Sequence, residues 1–302
     1  MIDCGSFPLG RRNSVRPPRT ADHSDAVVVG VYPSAWHIGW RAPANLVTKN
    51  RRGAVAALAV DVEPTVFWDG NADDFGQRLA LWKTEVGFLD GKHGSVSAVS
   101  PATNGSSGEK VVRHYLTPLG IAGARATFTD VYPVFLTKTS NGKRREQGDA
   151  IRDEYDSIAP QMEVPASSLP ARISSARLPA LAASAFGERL VADRSAAAAP
   201  LIVTLGKEVW ETLLAIPSLH ASPPREALTD LYGDAYGAMG GLTVNGREVA
   251  WLPLIHPGLL KGEPDPTADI PAGTRTVKGW ATIHARWVVA AAKDSARTHV
   301  DV

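Results

Sequence analysis

Two short motifs that lie far apart in the sequence carry residues suited to binding a ligand at the end of a strand. Residues 27–37 read VVVGVYPSAWH and residues 251–260 read WLPLIHPGLL, so each is an apolar run followed by Gly, Pro and His. Such runs are typical of buried strands, and Gly and Pro end the strand in a tight turn. Because open parallel sheets bind ligands at the carboxyl ends of their strands, we expect the two turns to border one pocket.

The elements that must position these turns alternate along the chain. Strands are predicted at 26–32, 54–62, 125–132 and 201–206, and helices at 73–82, 108–118, 178–198, 207–216 and 279–293. Residues 242–255 predict a hairpin that turns at Asn245-Gly246, a strong two-residue turn signal. The alternation of strands and helices predicts an α/β fold with a largely parallel sheet. Residues 1–24, rich in Arg, Pro, Ser and Gly, are expected to pack weakly as a flexible segment.

Composition excludes several classes of protein. The chain has 302 residues, of which 44% are hydrophobic and 21% charged, enough for a substantial core. A net charge of +1 does not indicate a polyanion partner, although a local basic surface is compatible with it. One cysteine, Cys4, allows no internal disulfide or iron–sulfur site, and a reducing cytoplasm is expected. No cofactor, metal, membrane segment or secretion signal is predicted.

Four pieces of the sequence occur in an order that resembles the uracil-DNA glycosylase superfamily. They are Gly30-Val31-Tyr32-Pro33-Ser34, an aromatic pair at 67–68, a strand that ends at Asp130, and His256-Pro257-Gly258 followed by Leu. The resemblance spans residues 26–262, and the missing cysteines exclude the iron–sulfur branch of the superfamily. It implies one domain at 25–295 with loop insertions and a tail at 296–302. The implied fold is a three-layer α/β/α sandwich around a central, largely parallel four-stranded sheet.

The resemblance also implies a role for each motif in excising a base that is flipped out of DNA. His256 would donate a hydrogen bond to the departing base anion, although a His that only caps a strand end remains an alternative. Phe67 would stack on the flipped base, unless it is an ordinary core residue. Leu260 or Leu259 would fill the space that the base leaves. The implied DNA-contacting residues are Pro33, Pro257 and Gly258, and the remaining pocket residues are Gly30, Ser34, His37, Trp68 and Asp69.

This sequence departs from the superfamily pattern at the catalytic position after Gly30. Tyr32 stands where the most active branch has Asp, and a neutral phenol cannot act as a carboxylate. Asp61, Glu63 and Asp69, around the end of the second predicted strand, are the alternative carboxylates. Each of them is equally able to cap a turn or remain solvated.

Two further departures concern the choice of base. Ser34 replaces the Tyr that blocks bases with a C5 substituent in the uracil-specific branch, so it opens room at C5. Asp130 replaces an Asn, and an ionised carboxylate only accepts hydrogen bonds. Acceptor-only groups match the exocyclic amine of cytosine, although Asp130 could instead cap the next turn.

Together these features predict a DNA glycosylase that excises a C5-modified cytosine, hydroxymethylated or glucosylated, with a possible role in anti-phage defence. The expected partner is double- or single-stranded DNA that contains a modified base, and the protein is expected to be a monomer. One alternative is a uracil or mismatch glycosylase of base-excision repair. Another is a catalytically inactive relative that binds nucleic acid or nucleosides.

Overall fold

The computed structural model describes residues 4–46, 55–68, 75–100, 102–140, 145–192, 198–260, 265–270 and 275–298. The chain divides into two compact units, each built from several segments. Unit 1 comprises Met1–Arg16, Tyr32–Gly108 and Pro133–Ile173, and unit 2 comprises Pro17–Val31, Glu109–Tyr132 and Ser174–Val302.

The strands are β1 (Ala26–Gly30), β2 (Ala35–Arg41), β3 (Val55–Val62), β4 (Ser95–Ser97), β5 (Ala126–Asp130), β6 (Leu201–Leu205), β7 (His220–Ser222), β8 (Gly240–Val244) and β9 (Arg247–Leu254). The helices are α1 (Phe75–Glu85), α2 (Ser106–Val111), α3 (Gln147–Ala150), α4 (Leu178–Ala192), α5 (Lys207–Leu214) and α6 (Val277–Thr298). The fold is therefore α/β, as the alternation of elements predicted. Within the described ranges, none of the helices combines the length and apolar character needed to cross a membrane.

The described residues of unit 2 contain a six-stranded sheet in the order β5-β1-β6-β9-β8-β7. The first four strands of this order run parallel, and β8 and β7 add to β9 in antiparallel fashion. The prediction of a four-stranded sheet was therefore wrong, because the predicted hairpin extends the parallel part. The hairpin turn itself is confirmed: Asn245 (φ 51°) and Gly246 (φ 76°) both have the positive φ of a type I′ turn.

The parallel strands of unit 2 bring three predicted site positions to one edge of the sheet. Gly30 ends β1 and lies opposite Asp130, the last residue of β5, in the strand register. β9 ends at Leu254, two residues before His256. Every residue of β1 and β5 is buried, so the sheet core holds this edge in place.

Unit 1 has its own antiparallel sheet, in the order β3-β2-β4. The segment 54–62, which was expected to join the parallel sheet, forms β3 and pairs with β2 from Ala35↔Val62 to Arg41↔Val55. β2 was not predicted, because Pro33 and Ser34 indicate a turn, and the residues after this turn were not recognised as a strand. A β-bulge between Trp36 and His37 shifts the register of this pair.

The N-terminal segment packs more closely than its composition predicted. Phe7 is fully buried in the hydrophobic core of unit 1 and stacks on Phe135, with 5.2 Å between the ring centroids. Asn13 donates from Nδ2 to the carbonyl oxygens of Cys4 (2.7 Å) and Phe135 (2.9 Å). These contacts hold the first part of the chain against the rest of the unit, because the buried Phe7 ring and the hydrogen bonds of Asn13 offset part of the entropy lost when the segment becomes ordered.

Candidate active site

Four of the predicted pocket residues line a single cavity in unit 1. Ser34, His37, Glu63 and Trp68 border a space of about 160 Å³, which the start of α2, Gln147 and Arg172 complete. A protein cavity of roughly 150 Å³ is large enough to bind benzene, so this space can accept one six-membered ring. Its lining combines polar residues with the aromatic residue Trp68, and this combination suits a heterocyclic base.

Glu63 contributes a carboxyl group to this cavity, and it is only 6% exposed. Its carboxylate Oε1 accepts a hydrogen bond from the Ser34 amide at 2.9 Å, and its own amide donates to the Ser34 carbonyl at 2.9 Å. Burial raises the pKa of Glu63 to about 7, while the Ser34 amide, the Arg16 guanidinium and the amides of Trp68 and Phe67 act in the opposite direction. Near neutral pH both protonation states are therefore populated, which is the condition for efficient proton transfer.

The aromatic pair at 67–68 is held by an unusual backbone turn. Phe67 has φ 53°, a left-handed conformation that costs a non-glycine residue about 1–3 kcal/mol. Gly108 of α2 packs directly against this turn, since a Cβ at position 108 would lie 2.2 Å from the carbonyl oxygens of both Phe67 and Trp68. Both aromatic side chains are buried. Trp68 borders the cavity, so it is better placed than Phe67 for the stacking role that the sequence suggested for Phe67.

His37 lies at the β-bulge and is held by Asn104. The Asn104 side chain accepts from the His37 amide (2.8 Å) and donates to the His37 carbonyl (2.9 Å). Burial lowers the pKa of His37 to about 4, against opposing hydrogen bonds from Asn104 and Ala35. His37 is therefore neutral at pH 7 and offers no positive charge to a phosphate. Sequence reasoning missed Asn104, because it lies in a Gly- and Ser-rich stretch that indicated only a loop.

The remaining unit 1 candidates have structural partners. The Tyr32 hydroxyl donates to the Ile173 carbonyl at 3.3 Å. Both carboxylate oxygens of Asp61 are engaged: Oδ1 accepts from the Val62 amide (2.8 Å) and Oδ2 accepts from Arg78 (3.1 Å) and Arg11 (3.0 Å). Pro33 is buried, and Asp69 lies outside the described residues. Of the two candidate carboxylates that the structure describes, Asp61 and Glu63, Glu63 is thus the better placed for chemistry in the cavity.

In unit 2 the ring of His256 is oriented by the turn that follows it. The Gly258 amide donates to His256 Nδ1 at 3.0 Å. Because Nδ1 accepts this hydrogen bond, the neutral ring carries its hydrogen on Nε2. His256 is partly exposed at the strand edge.

A buried network fixes the residue that precedes His256. The Ile255 carbonyl accepts from the Tyr115 hydroxyl (2.9 Å), and the Ile255 amide donates to the Tyr236 hydroxyl (3.0 Å). Tyr236 lies 2.8 Å from His284 Nδ1, and His284 Nε2 lies 3.1 Å from the His114 carbonyl. Burial lowers the pKa of His284 to about 3, so the ring is neutral, accepts from Tyr236 and donates to His114. Sequence reasoning missed this network, because its members are spread from position 114 to 284 with no local signal.

Asp130 is 3% exposed at the end of β5 and lies near Arg189. Arg189 Nη2 donates to the carbonyl oxygens of Asp130 (3.1 Å) and Val131 (2.9 Å). Burial lowers the pKa of Arg189, and the negative charge of Asp130 raises it. The guanidinium therefore holds the end of β5 and places a positive charge near Asp130.

The predicted DNA-contacting turn is a short 3₁₀ helix at Pro257–Leu259. Gly258 is exposed, whereas Pro257 is buried. Leu260 is 1% exposed, and its carbonyl accepts from Lys110 Nζ at 2.7 Å. A side chain that fills space in DNA must be accessible, so the partly exposed Leu259 is the better candidate of the two leucines.

The structure thus gathers Ser34, His37, Glu63 and Trp68 around one cavity of unit 1. It gathers Gly30, Asp130 and His256 at one sheet edge of unit 2. Among the described residues, no group of three or more His, Cys, Asp or Glu side chains is placed to hold a metal ion. No protein-family model matches the sequence, and no curated protein matches it significantly.

Proposed function

We propose that the protein is a DNA glycosylase that excises a flipped base by hydrolysis of its N-glycosidic bond. The observation that carries the proposal is the buried Glu63 carboxyl, with its pKa raised to about 7, in a cavity that fits one heterocyclic ring. The resembled superfamily has an acidic residue at the position of Tyr32. Glu63 is a carboxyl group from a different segment that can take over the role of that acidic residue. By the resemblance, His256 is the residue assigned to donate a hydrogen bond to the leaving base.

The proposed reaction needs one group that stabilises the leaving base and another that activates the attacking water. As the bond between C1′ and the base nitrogen breaks, the base leaves with the electron pair and the sugar develops oxocarbenium character. The resemblance assigns to His256 the hydrogen bond to the base oxygen on which the negative charge collects. Ionised Glu63 accepts a proton from the attacking water, whose oxygen bonds to C1′.

The proposed substrate is a cytosine with a substituent at C5, hydroxymethylated or glucosylated. The small, exposed Ser34 leaves one wall of the cavity open, so a substituent there can extend into solvent. Asp130 stands where the resembled superfamily has Asn, and a carboxylate, which only accepts hydrogen bonds when ionised, matches the exocyclic amine of cytosine. Since modified cytosines of this kind occur in phage DNA, anti-phage defence is the proposed setting.

The finer predictions from the resemblance belong to the same proposal. They are a three-layer α/β/α arrangement in one domain, DNA as the partner, a monomeric state and a cytoplasmic location. One competing function has an observation in its favour: the Tyr32 hydroxyl is engaged with the Ile173 backbone, as expected if that position has lost a catalytic role. A protein of that kind would bind nucleic acid or nucleosides without cleavage.

The test is base release from labelled DNA. Double- and single-stranded oligonucleotides that carry cytosine, hydroxymethylcytosine, glucosylated hydroxymethylcytosine or uracil are incubated with the protein. Abasic sites are detected by alkaline cleavage, and the released base is identified by mass spectrometry. We expect release of a C5-modified cytosine.

His256→Ala should lower the single-turnover rate by about 10²–10³-fold without loss of folding, because loss of one such donor typically has that effect. His220→Ala, which removes an exposed histidine on β7, is the matched control and should keep the parental rate. Full activity of His256→Ala would remove His256 from the mechanism. Binding without release of any base would favour the competing function.

A further inference from the structure

A second cavity of unit 1 is surrounded by arginines. It has a volume of about 440 Å³, and its lining includes Arg11, Arg12, Arg16 and Arg78 together with Asp61. Guanidinium groups are planar donors that match the oxygens of phosphate and carboxylate groups. Four of them around one space are therefore a candidate anion site.

One carboxylate orients two of these arginines. Asp61 Oδ2 pairs with Arg11 Nε at 3.0 Å and with Arg78 Nη2 at 3.1 Å. Arg78 also donates to the Val62 carbonyl at 3.1 Å, and Arg11 pairs with Glu85 as well. These contacts fix the direction of both guanidinium groups before any ligand arrives, which lowers the entropy lost on binding.

The other two arginines leave positive charge in excess. Arg12 is exposed, and within the described part of the chain no ion pair is found for it. Arg16 donates to the Glu63 carbonyl, but its buried Nε has no hydrogen-bond partner among the described residues. Burial lowers the pKa of Arg16. The nearby carboxyl groups of Asp61 and Glu63 act in the opposite direction, and the positive charge of Arg11 lowers this pKa as well. The cavity lining thus contains four guanidinium groups and the carboxylate of Asp61, with Glu85 paired to Arg11, so the cavity keeps a net positive charge.

We propose that this arginine cavity binds a phosphate group. Its four donors suit a tetrahedral oxyanion better than a planar carboxylate, because they can bond several oxygens from different directions. The same chemistry is present in a phosphodiester of DNA and in free phosphate. Through Arg16 the cavity also contacts the backbone of Glu63, so an occupied site would steady the segment that carries this carboxyl.

The first measurement is the salt dependence of binding to a DNA duplex that carries no modified base. Arg12→Ala is the informative variant, because Arg11, Arg16 and Arg78 hold other parts of the unit. If Arg12 neutralises a DNA phosphate, the slope of log K against log salt should become shallower by about 1, and all sequences should bind more weakly to the same degree. Arg41→Ala, which removes an exposed arginine at the end of β2, is the control and should leave the slope unchanged. Arg12→Glu should weaken binding further than Arg12→Ala.

The second measurement separates free phosphate from a DNA phosphodiester. The melting temperature is followed as inorganic phosphate replaces chloride at constant ionic strength. A rise in the parent and in Arg41→Ala that is absent in Arg12→Ala, with an unchanged DNA slope, would identify free phosphate as the ligand. A changed DNA slope without that rise would identify the phosphodiester.

The proposal is overturned if Arg12→Ala and Arg41→Ala behave alike in both measurements. Neither measurement requires base release. If the phosphate-site proposal fails, the glycosylase proposal is therefore unaffected. If the glycosylase assay fails, the phosphate-site proposal is likewise unaffected.

Discussion

Replacing Glu63 by Gln tests the central claim about the candidate site, that a carboxyl group is buried there. Burial raises the pKa of Glu63 from 4.5 to about 7 in the folded protein. The folded state therefore holds this proton more tightly than the unfolded state. The resulting stabilisation is fully present below pH 4.5 and is lost as the pH rises through about 7. At 1.36 kcal/mol for each pH unit, the whole change is about 3 kcal/mol.

Gln has nearly the same shape as Glu but does not titrate. Any change in packing or hydrogen bonding that it causes is the same at every pH, so the pH dependence isolates the charge. We expect the free energy of unfolding of Glu63→Gln to improve relative to the parent by about 3 kcal/mol between pH 4.5 and pH 8. His37, whose pKa is lowered to about 4, destabilises the folded state as the pH falls, but it is present in both proteins and cancels.

The assay is urea-induced unfolding at pH 4.5, 5.5, 6.5 and 8, with NMR titration of the Glu side-chain carboxyl carbon as a direct check. Glu163→Gln is the control in the same unit, since the Glu163 side chain is 83% exposed and its ion pair with Lys92 is long (3.8 Å). This control should show no difference from the parent that depends on pH. If the difference between Glu63→Gln and the parent is also constant from pH 4.5 to 8, the carboxyl is not desolvated. The argument that it acts as a base near neutral pH would then fail.

Two further predictions address the cavity wall and the choice of base. Gly108→Ala should lower the free energy of unfolding by about 1–3 kcal/mol, because its Cβ would lie 2.2 Å from two backbone oxygens of the 67–68 turn. Gly76→Ala, which has open space around it in α1, should be neutral or slightly stabilising, and equal effects in urea unfolding would contradict the close approach at position 108. Asp130→Asn should shift the ratio of kcat/KM from cytosine-type towards uracil-type bases by about tenfold to a hundredfold, because a mismatched buried polar group costs about 1–3 kcal/mol. An unchanged ratio would show that Asp130 does not read the base.

Features with a local cause were accessible from the sequence. The apolar runs around Val28 and Val203 predicted β1 and β6, because a strand of a parallel sheet is buried on both sides and needs no alternation. The turn at Asn245-Gly246 was equally clear, because few other residues tolerate two successive positive φ values. β2 was missed because its first residues carry the signal of a turn, and its pairing with β3 connects positions 35 and 62.

In the candidate site too, the sequence predicted the types of residue, whereas their environments depend on the tertiary structure. The sequence alone determined which residues could do chemistry: a carboxyl at position 61, 63 or 69, a histidine after β9 and a small residue at position 34. Only the tertiary structure decided between Asp61 and Glu63. Asp61 forms ion pairs with Arg11 and Arg78. Glu63 is buried beside Ser34, and this burial raises its pKa. A pKa depends on burial and on charges from distant segments, so two acidic residues that look alike in sequence acquire different chemistry only once the chain has folded.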